Sequence, residues 1–155
     1  MKNYTENKNF HVGFCDAIKR FWIRGLDFSG RASRSEFWWA QLFLIVADLL
    51  LGFVSGGILA VLISIIFIIP GIALIVRRLH DAGISSGIFV GALFALIVGG
   101  FLCTTVFIPI GLILILIGGV LKIVIFIFFF FDSEKGRNRY GDSEKYPEAT
   151  SYIDI

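Results

Sequence analysis

Charge is what this chain has least of. Only 17% of its 155 residues are charged and 57% are hydrophobic, against about 25% and about 45–50% in soluble domains. Between Phe37 and Phe131 the ionisable groups reduce to Asp48, Arg77, Arg78, His80, Asp81 and Lys122. The stretches between them are long apolar runs, and about 18 or more such residues read as a membrane span. A soluble globular domain is thereby excluded. Cysteine is nearly absent too: Cys15 precedes the apolar region and Cys103 lies deep within it. Two thiols so placed make neither a disulfide framework nor a thiolate metal site. No phosphate-binding loop, dinucleotide fingerprint, zinc-ligand spacing or basic nucleic-acid-binding stripe occurs, so no metal, cofactor or nucleic-acid partner is expected. An early hydrophobic core with a cleavage site is also missing, and the first span is expected to serve as an uncleaved signal-anchor.

What is present is ordered by hydropathy. Residues 1–27 form an N-terminal segment in which Val12, Phe14, Ile18, Phe21, Trp22 and Leu26 recur at helical spacing among Lys19, Arg20 and Arg24. That pattern predicts a short basic amphipathic helix, lying on lipid headgroups or packed on the protein's own loops. Ser33-x-x-Glu36 then precedes an apolar run as a capping box, and Trp38-Trp39 falls where an interfacial aromatic belt is expected. Spans are predicted at about 37–54 and 58–76, with a turn at Gly56-Gly57 and a kink at Pro70-Gly71.

Arg77-Arg78-Leu79-His80-Asp81-Ala82-Gly83 packs charge into a few positions between apolar segments and marks a membrane surface. Cations in a last helical turn oppose the macrodipole favourably, and Gly83 suits the C′ position. The stretch from Ile88 to Phe131 carries one charge and is roughly twice the ~20 residues a span needs. It divides into spans at about 88–107 and 110–131, broken near Pro109. Residues 132–155 form a polar tail. The fold class predicted is all-α: a four-helix membrane bundle over 28–131 with a short N-terminal amphipathic helix. Four spans put every Lys and Arg except Lys122 on one side, and positive charge is retained in the cytoplasm. Both termini are therefore expected to be cytoplasmic.

Two ionisable groups remain at depth. Asp48 lies about 15 Å from Trp38, and Lys122 about 13.5 Å from Phe131, at 1.5 Å per residue. Their similar depth suggests an intramembrane pair, with a snorkelling Lys122 and a separately hydrogen-bonded Asp48 as the alternative. If they pair, Asp48→Leu and Lys122→Leu should each lower the detergent melting temperature more than the double variant does, because breaking a buried pair commonly costs about 3–5 kcal/mol. Additive losses would show that they do not interact. Gly87, Gly91, Ala95, Gly99 and Cys103, each four apart, give the third span a smooth face for close helix packing. Gly52 and Gly56 offer a shorter version on the first.

Phe28-x-Gly30-Arg31-Ala32-Ser33-Arg34-x-Glu36-Phe37-Trp38, Arg77-Arg78-Leu79-His80-Asp81-x-Gly83 and Asn138-Arg139-Tyr140-Gly141 occur in that order. Together they resemble the bacterial inner-membrane family called domain of unknown function 805, over about residues 20–141. The resemblance implies a small polytopic membrane protein and carries no assigned activity. Relatives tend to have Trp where Ile88 stands, and Pro sooner after the last Gly than Pro147.

Three functional readings follow. The first is a non-enzymatic inner-membrane protein whose cytoplasmic face binds an anionic lipid or a protein partner, possible partners including a second membrane protein or another copy. Arg31, Arg34, Arg77, Arg78, His80, Asp81 and Arg139 are its candidate residues, with Ser33, Glu36 and Gly83 as structural ones. Ion pairs of Asp81 with Arg31 or Arg34, and of Glu36 with Arg77 or Arg78, are expected on that face. The second reading is a small transporter or channel component using Asp48 and Lys122. The third, a lipid-phosphate enzyme, rests only on His80-Asp81 beside two arginines, with no nucleophile or metal set.

Overall fold

The computed structural model describes residues 10–55, 58–103 and 108–147. The expected Gly56-Gly57 turn, the Gly56 end of the shorter small-residue motif and the residues just before Ile108 lie outside the described residues. So do both chain ends. Five helices occur among the described residues: α1 (Phe14–Ile23), α2 (Arg34–Ser55), α3 (Ile58–Asp81), α4 (Gly87–Cys103) and α5 (Ile108–Phe128). No strand is present among them, only an isolated bridge between Asn138 and Gly141. Two compact units result, one of residues 1–83 with 132–155 and the other of Ile84–Phe131.

In the first unit α2 and α3 form an antiparallel hairpin. Glu36 near the start of α2 meets Arg77 near the end of α3, and further along Ser64 Oγ donates to Asp48 Oδ1 at 3.0 Å. The start of α2 follows half of the predicted capping box. The Glu36 amide donates to Ser33 Oγ at 3.3 Å, while the Glu36 carboxylate turns to Arg20 and Arg77. The buried Arg77 and the half-buried Arg20 outcompete one backbone amide for that carboxylate. Ser33→Ala should still cost about 1 kcal/mol, read as a lower melting temperature of the detergent-solubilised protein. At the other end Gly83 adopts φ +76°, and its amide donates to the His80 carbonyl at 3.1 Å. The C′ expectation therefore holds.

Helix α1 packs on α2 and α3. Ala17 and Phe21 are fully buried, and the Phe21 ring lies 6.4 Å from those of both Phe43 and Phe67. Pro70 sits inside α3 and is buried. Gly25 passes so close to it that an added Cβ would come within 3.1 Å of Pro70 Cγ.

In the second unit α4 and α5 are also antiparallel. A Cβ on Gly99 would lie 2.9 Å from the Gly111 carbonyl oxygen, and one on Gly118 would lie 2.7 Å from Leu96 Cγ. Gly99 and Cys103 of the small-residue face thus meet α5, joined by Ala92 and Leu96, and Ala95 is buried. Gly91 instead faces open space. Gly111 packs against Gly99 and Cys103, and Pro109 occupies the first turn of α5, where a missing amide donor is harmless.

The burial pattern is inverted relative to a soluble protein. Phe53, Phe101 and Leu116 are 92%, 69% and 69% exposed, whereas Arg77 and Arg78 are 0% exposed. Arg34–Val54 of α2 and the whole of α5 are long and apolar enough to cross a membrane, and α4 is a shorter apolar helix.

Candidate functional site

The charged residues of the first unit gather at one end of the α2–α3 hairpin. Asp81, the last residue of α3, is their centre. Its Oδ1 accepts from Arg31 Nε at 3.0 Å, and its Oδ2 accepts from Arg78 Nη1 at 2.8 Å and from Ser133 Oγ. All four side chains are buried. Burial pushes the Asp81 carboxyl up from its ordinary value and the Arg78 guanidinium down. The Ser133 hydroxyl and the two guanidiniums pull the carboxyl back towards its charged form.

Arg31 does more than pair with Asp81. Its Nη1 donates to the Gly136 carbonyl at 2.8 Å, and its Nη2 to the carbonyls of Glu134 and Asp81. The planar fork of arginine suits such convergent acceptance, and here it clasps the tail to the end of α3. The Glu134 amide completes the clasp by donating to the Asp81 carbonyl at 2.8 Å.

Arg77 performs the same service for the N-terminal segment. Its Nη1 donates to the Arg24 and Asp27 carbonyls at 2.5 and 2.7 Å. Its Nη2 lies 3.8 Å from Glu36 Oε1, and Glu36 Oε2 accepts from Arg20 Nη1 at 3.2 Å. The Arg77 carbonyl accepts from the Ala32 amide, so the chain after α1 is fastened on both sides of this residue.

His80 and Arg139 meet through Tyr140. The imidazole stacks on the Tyr140 ring at 3.6 Å between centroids, 4° from parallel, and the Arg139 guanidinium lies 4.7 Å from that ring's centroid. Burial and the nearby Arg139 charge together outweigh a hydrogen bond to the Gly30 carbonyl and keep His80 below its ordinary pKa. Asn138 Nδ2 donates to the His80 carbonyl at 2.9 Å, and Gly141 at φ +130° completes this turn of the tail.

Arg34 pairs with Asp132 at 3.0 Å, not with Asp81. Asp132 also accepts from Lys145 Nζ at 2.7 Å and Tyr146 Oη at 2.8 Å. Partial burial opposes its charge, but Lys145, Tyr146, the Ser133 amide and Arg34 prevail and hold its pKa down to about 2. A depressed carboxylate pKa contributes stability above the unfolded value of 3.8 and loses it as pH falls towards 2, so this part of the tail stays fastened through the neutral range. A cavity of about 210 Å³ beside it is lined by Phe10, His11, Ser33, Arg34, Ser35, Asp132, Ser133 and Lys145.

Two candidates, Asp48 and Lys122, remain. Asp48, on an exposed position of α2, accepts from Ser64. In the second unit Lys122, exposed on α5, borders a cavity of about 70 Å³ formed with Phe89, Ala92, Leu93 and Leu96. Among the described residues no group of three or more His, Cys, Asp or Glu side chains is placed to hold a metal ion.

Sequence reasoning missed Arg20, Ser133, Asp132, Lys145 and Tyr146. Only Asp132-Ser133, polar immediately after the last apolar run, carried a local signal. Arg31, Arg77 and Arg78 turn inward and hold carboxylates and carbonyls of the chain itself, whereas Arg34 and Arg139 lie nearer the surface.

Comparison with curated proteins and with solved structures gives no match. The sequence profile of one family, described as "Protein of unknown function (DUF805)", matches residues 25–142. That span contains α2 to α5, the Arg31–Asp81 clasp and the Asn138–Gly141 turn, and the chain belongs to this family.

Proposed function

We propose that the protein is a multi-pass protein of the bacterial inner membrane that binds an anionic partner at its cytoplasmic end and performs no catalysis. Its spans are those predicted, at about 37–54, 58–76, 88–107 and 110–131. One observation carries the reading: every described Lys and Arg except Lys122 belongs to the unit that gathers the N-terminal segment, the end of α3 and the tail. The antiparallel α4–α5 segment leaves that unit at Gly83 and rejoins it at Asp132. Residues flanking these two points are hydrogen-bonded to each other through Glu134 and Asp81. An even number of crossings accords with that connection, and retention of positive charge in the cytoplasm sets the orientation.

The inward arginines give the end its rigidity, while the exposed Arg139 and the neighbouring Arg137 and Lys135 meet an anion. The test is detergent melting with short-chain phosphatidylglycerol or phosphatidylcholine. The anionic lipid should raise the melting temperature more, the difference should shrink with salt, and Arg137→Gln with Arg139→Gln should abolish it. Equal shifts for both lipids would overturn the binding reading.

The Asp48–Ser64 hydrogen bond supports a second reading, an ion pathway, because ionisable groups at membrane depth commonly mark one. Proton or sodium flux into proteoliposomes that is lost in Asp48→Asn would favour it.

A further inference from the structure

The N-terminal segment has a geometry that a cytosolic helix packed on loops would not need. Gly25 lies against Pro70, which is about 10 Å along α3 from Arg77 at 1.5 Å per residue. Phe21 meets Phe43 and Phe67, and Trp22 meets Phe67 with ring centroids 5.5 Å apart. These partners belong to the two predicted spans of the hairpin. The chain then returns, and the Ala32 amide reaches the Arg77 carbonyl. Residues 12–32 therefore descend along the hairpin from the level of Ser35, where the Val12 amide donates to the serine hydroxyl, and climb back.

The polar and apolar groups of this segment are sorted by level. Arg20 reaches Glu36 and Glu144 and Arg24 reaches the Arg31 carbonyl, towards the polar end, while Arg24 also holds Asp27 at the turn. At the low end Trp22, Ile23 and Leu26 are 46%, 72% and 78% exposed. Ile65, Ile66, Ile68 and Ile69 of α3 are exposed as well. The turn after α1 would strand carbonyl groups in hydrocarbon, and irregular backbone at membrane depth persists only where such groups are satisfied internally. The buried Arg77 guanidinium supplies that need at Arg24 and Asp27.

We infer that Phe14–Asp27 is a re-entrant element seated in the cytoplasmic leaflet, with Trp22, Ile23 and Leu26 docked against lipid acyl chains and Lys19 at headgroup level. The arginine fork takes the place of water at the turn, and the long basic side chains reach back to the polar end as snorkelling groups do. The inference rests on the membrane reading above, so its test must separate the two.

Full-length protein in vesicles would be compared as two single-tryptophan forms, one retaining Trp22 (Trp38→Phe, Trp39→Phe) and one retaining Trp39 (Trp22→Phe, Trp38→Phe). Trp22 should be quenched by lipids brominated at mid-chain at least as strongly as Trp39, and weakly by aqueous iodide. Iodide quenching of Trp22 alongside bromolipid quenching of Trp39 would overturn the inference and leave the membrane reading standing. Iodide quenching of both would overturn both. A second measurement guards against misfolding of these variants: Leu26→Cys and Lys19→Cys, each with Cys15→Ser and Cys103→Ser, exposed to a membrane-impermeant maleimide. Leu26→Cys should label about tenfold or more slowly, since apolar surroundings raise a thiol's pKa and each unit removes tenfold in thiolate. It should catch up in detergent. Equal rates in membranes would overturn the re-entrant placement.

Discussion

Asp81→Ala is expected to be the most damaging single substitution in the chain. The carboxylate faces two buried guanidiniums, Arg31 at 3.0 Å and Arg78 at 2.8 Å, and accepts the Ser133 hydroxyl. Its removal leaves two like charges facing each other out of water. Loss of one partner from a buried pair costs about 3–5 kcal/mol, and here a single deletion strands two cations. The melting temperature in detergent should fall sharply, and the tail should become sensitive to protease because the Arg31 clasp loses its anchor. Asp81→Asn keeps hydrogen-bond acceptance without the charge and should fall between. Removing charge on both sides, as Asp81→Leu with Arg78→Met, should be milder than Asp81→Ala, because one stranded cation is gone. Unchanged tail cleavage and melting in Asp81→Ala would show that the cluster does not hold the polar end together.

Arg77→Ala should approach that effect by a different route. Its guanidinium is 0% exposed and donates to the Arg24 and Asp27 carbonyls. Leaving a buried acceptor unsatisfied costs about 1–3 kcal/mol, and two are affected. The buried Glu36 carboxylate also loses one of its two ion-pair partners and keeps Arg20. Arg77→Lys should rescue little, since an ammonium has no planar fork to span two carbonyls and a carboxylate. The readout that separates this variant from Asp81→Ala is location: α1 should become protease-sensitive first, and the tail later. Simultaneous loosening of α1 and the tail in both variants would mean that the two clasps are one cooperative network.

The elements most legible in the sequence were those that depend on local chemistry. Gly83 terminates α3 because a left-handed residue without a Cβ is needed there, and Ser33 caps α2 because its hydroxyl is three residues from an unsatisfied amide. The Arg31–Asp81 and Glu36–Arg77 pairs were among the predicted alternatives, since opposite charges crowded at one level must meet. Gly99 and Cys103 packed as their four-residue spacing implied. What the sequence could not convey was choice among competing long-range partners. Arg20 spaced along an amphipathic helix gives no hint of Glu36 or Glu144, and Arg34 was as plausible a partner for Asp81 as for Asp132. The arginine–carbonyl bonds were the least visible, because backbone acceptors leave no mark in residue identity. They make Arg31 and Arg77 clasps that hold the chain's own turns.

Both chain ends and the Arg77–Gly83 stretch are proposed to lie on the cytoplasmic side. Reporter fusions test this most directly: alkaline phosphatase and green fluorescent protein at the C-terminus of the full chain, and phosphatase inserted between α4 and α5. The account predicts a fluorescent, phosphatase-inactive C-terminus and an active insertion between the helices. An active phosphatase at the C-terminus would place the basic tail outside and contradict it.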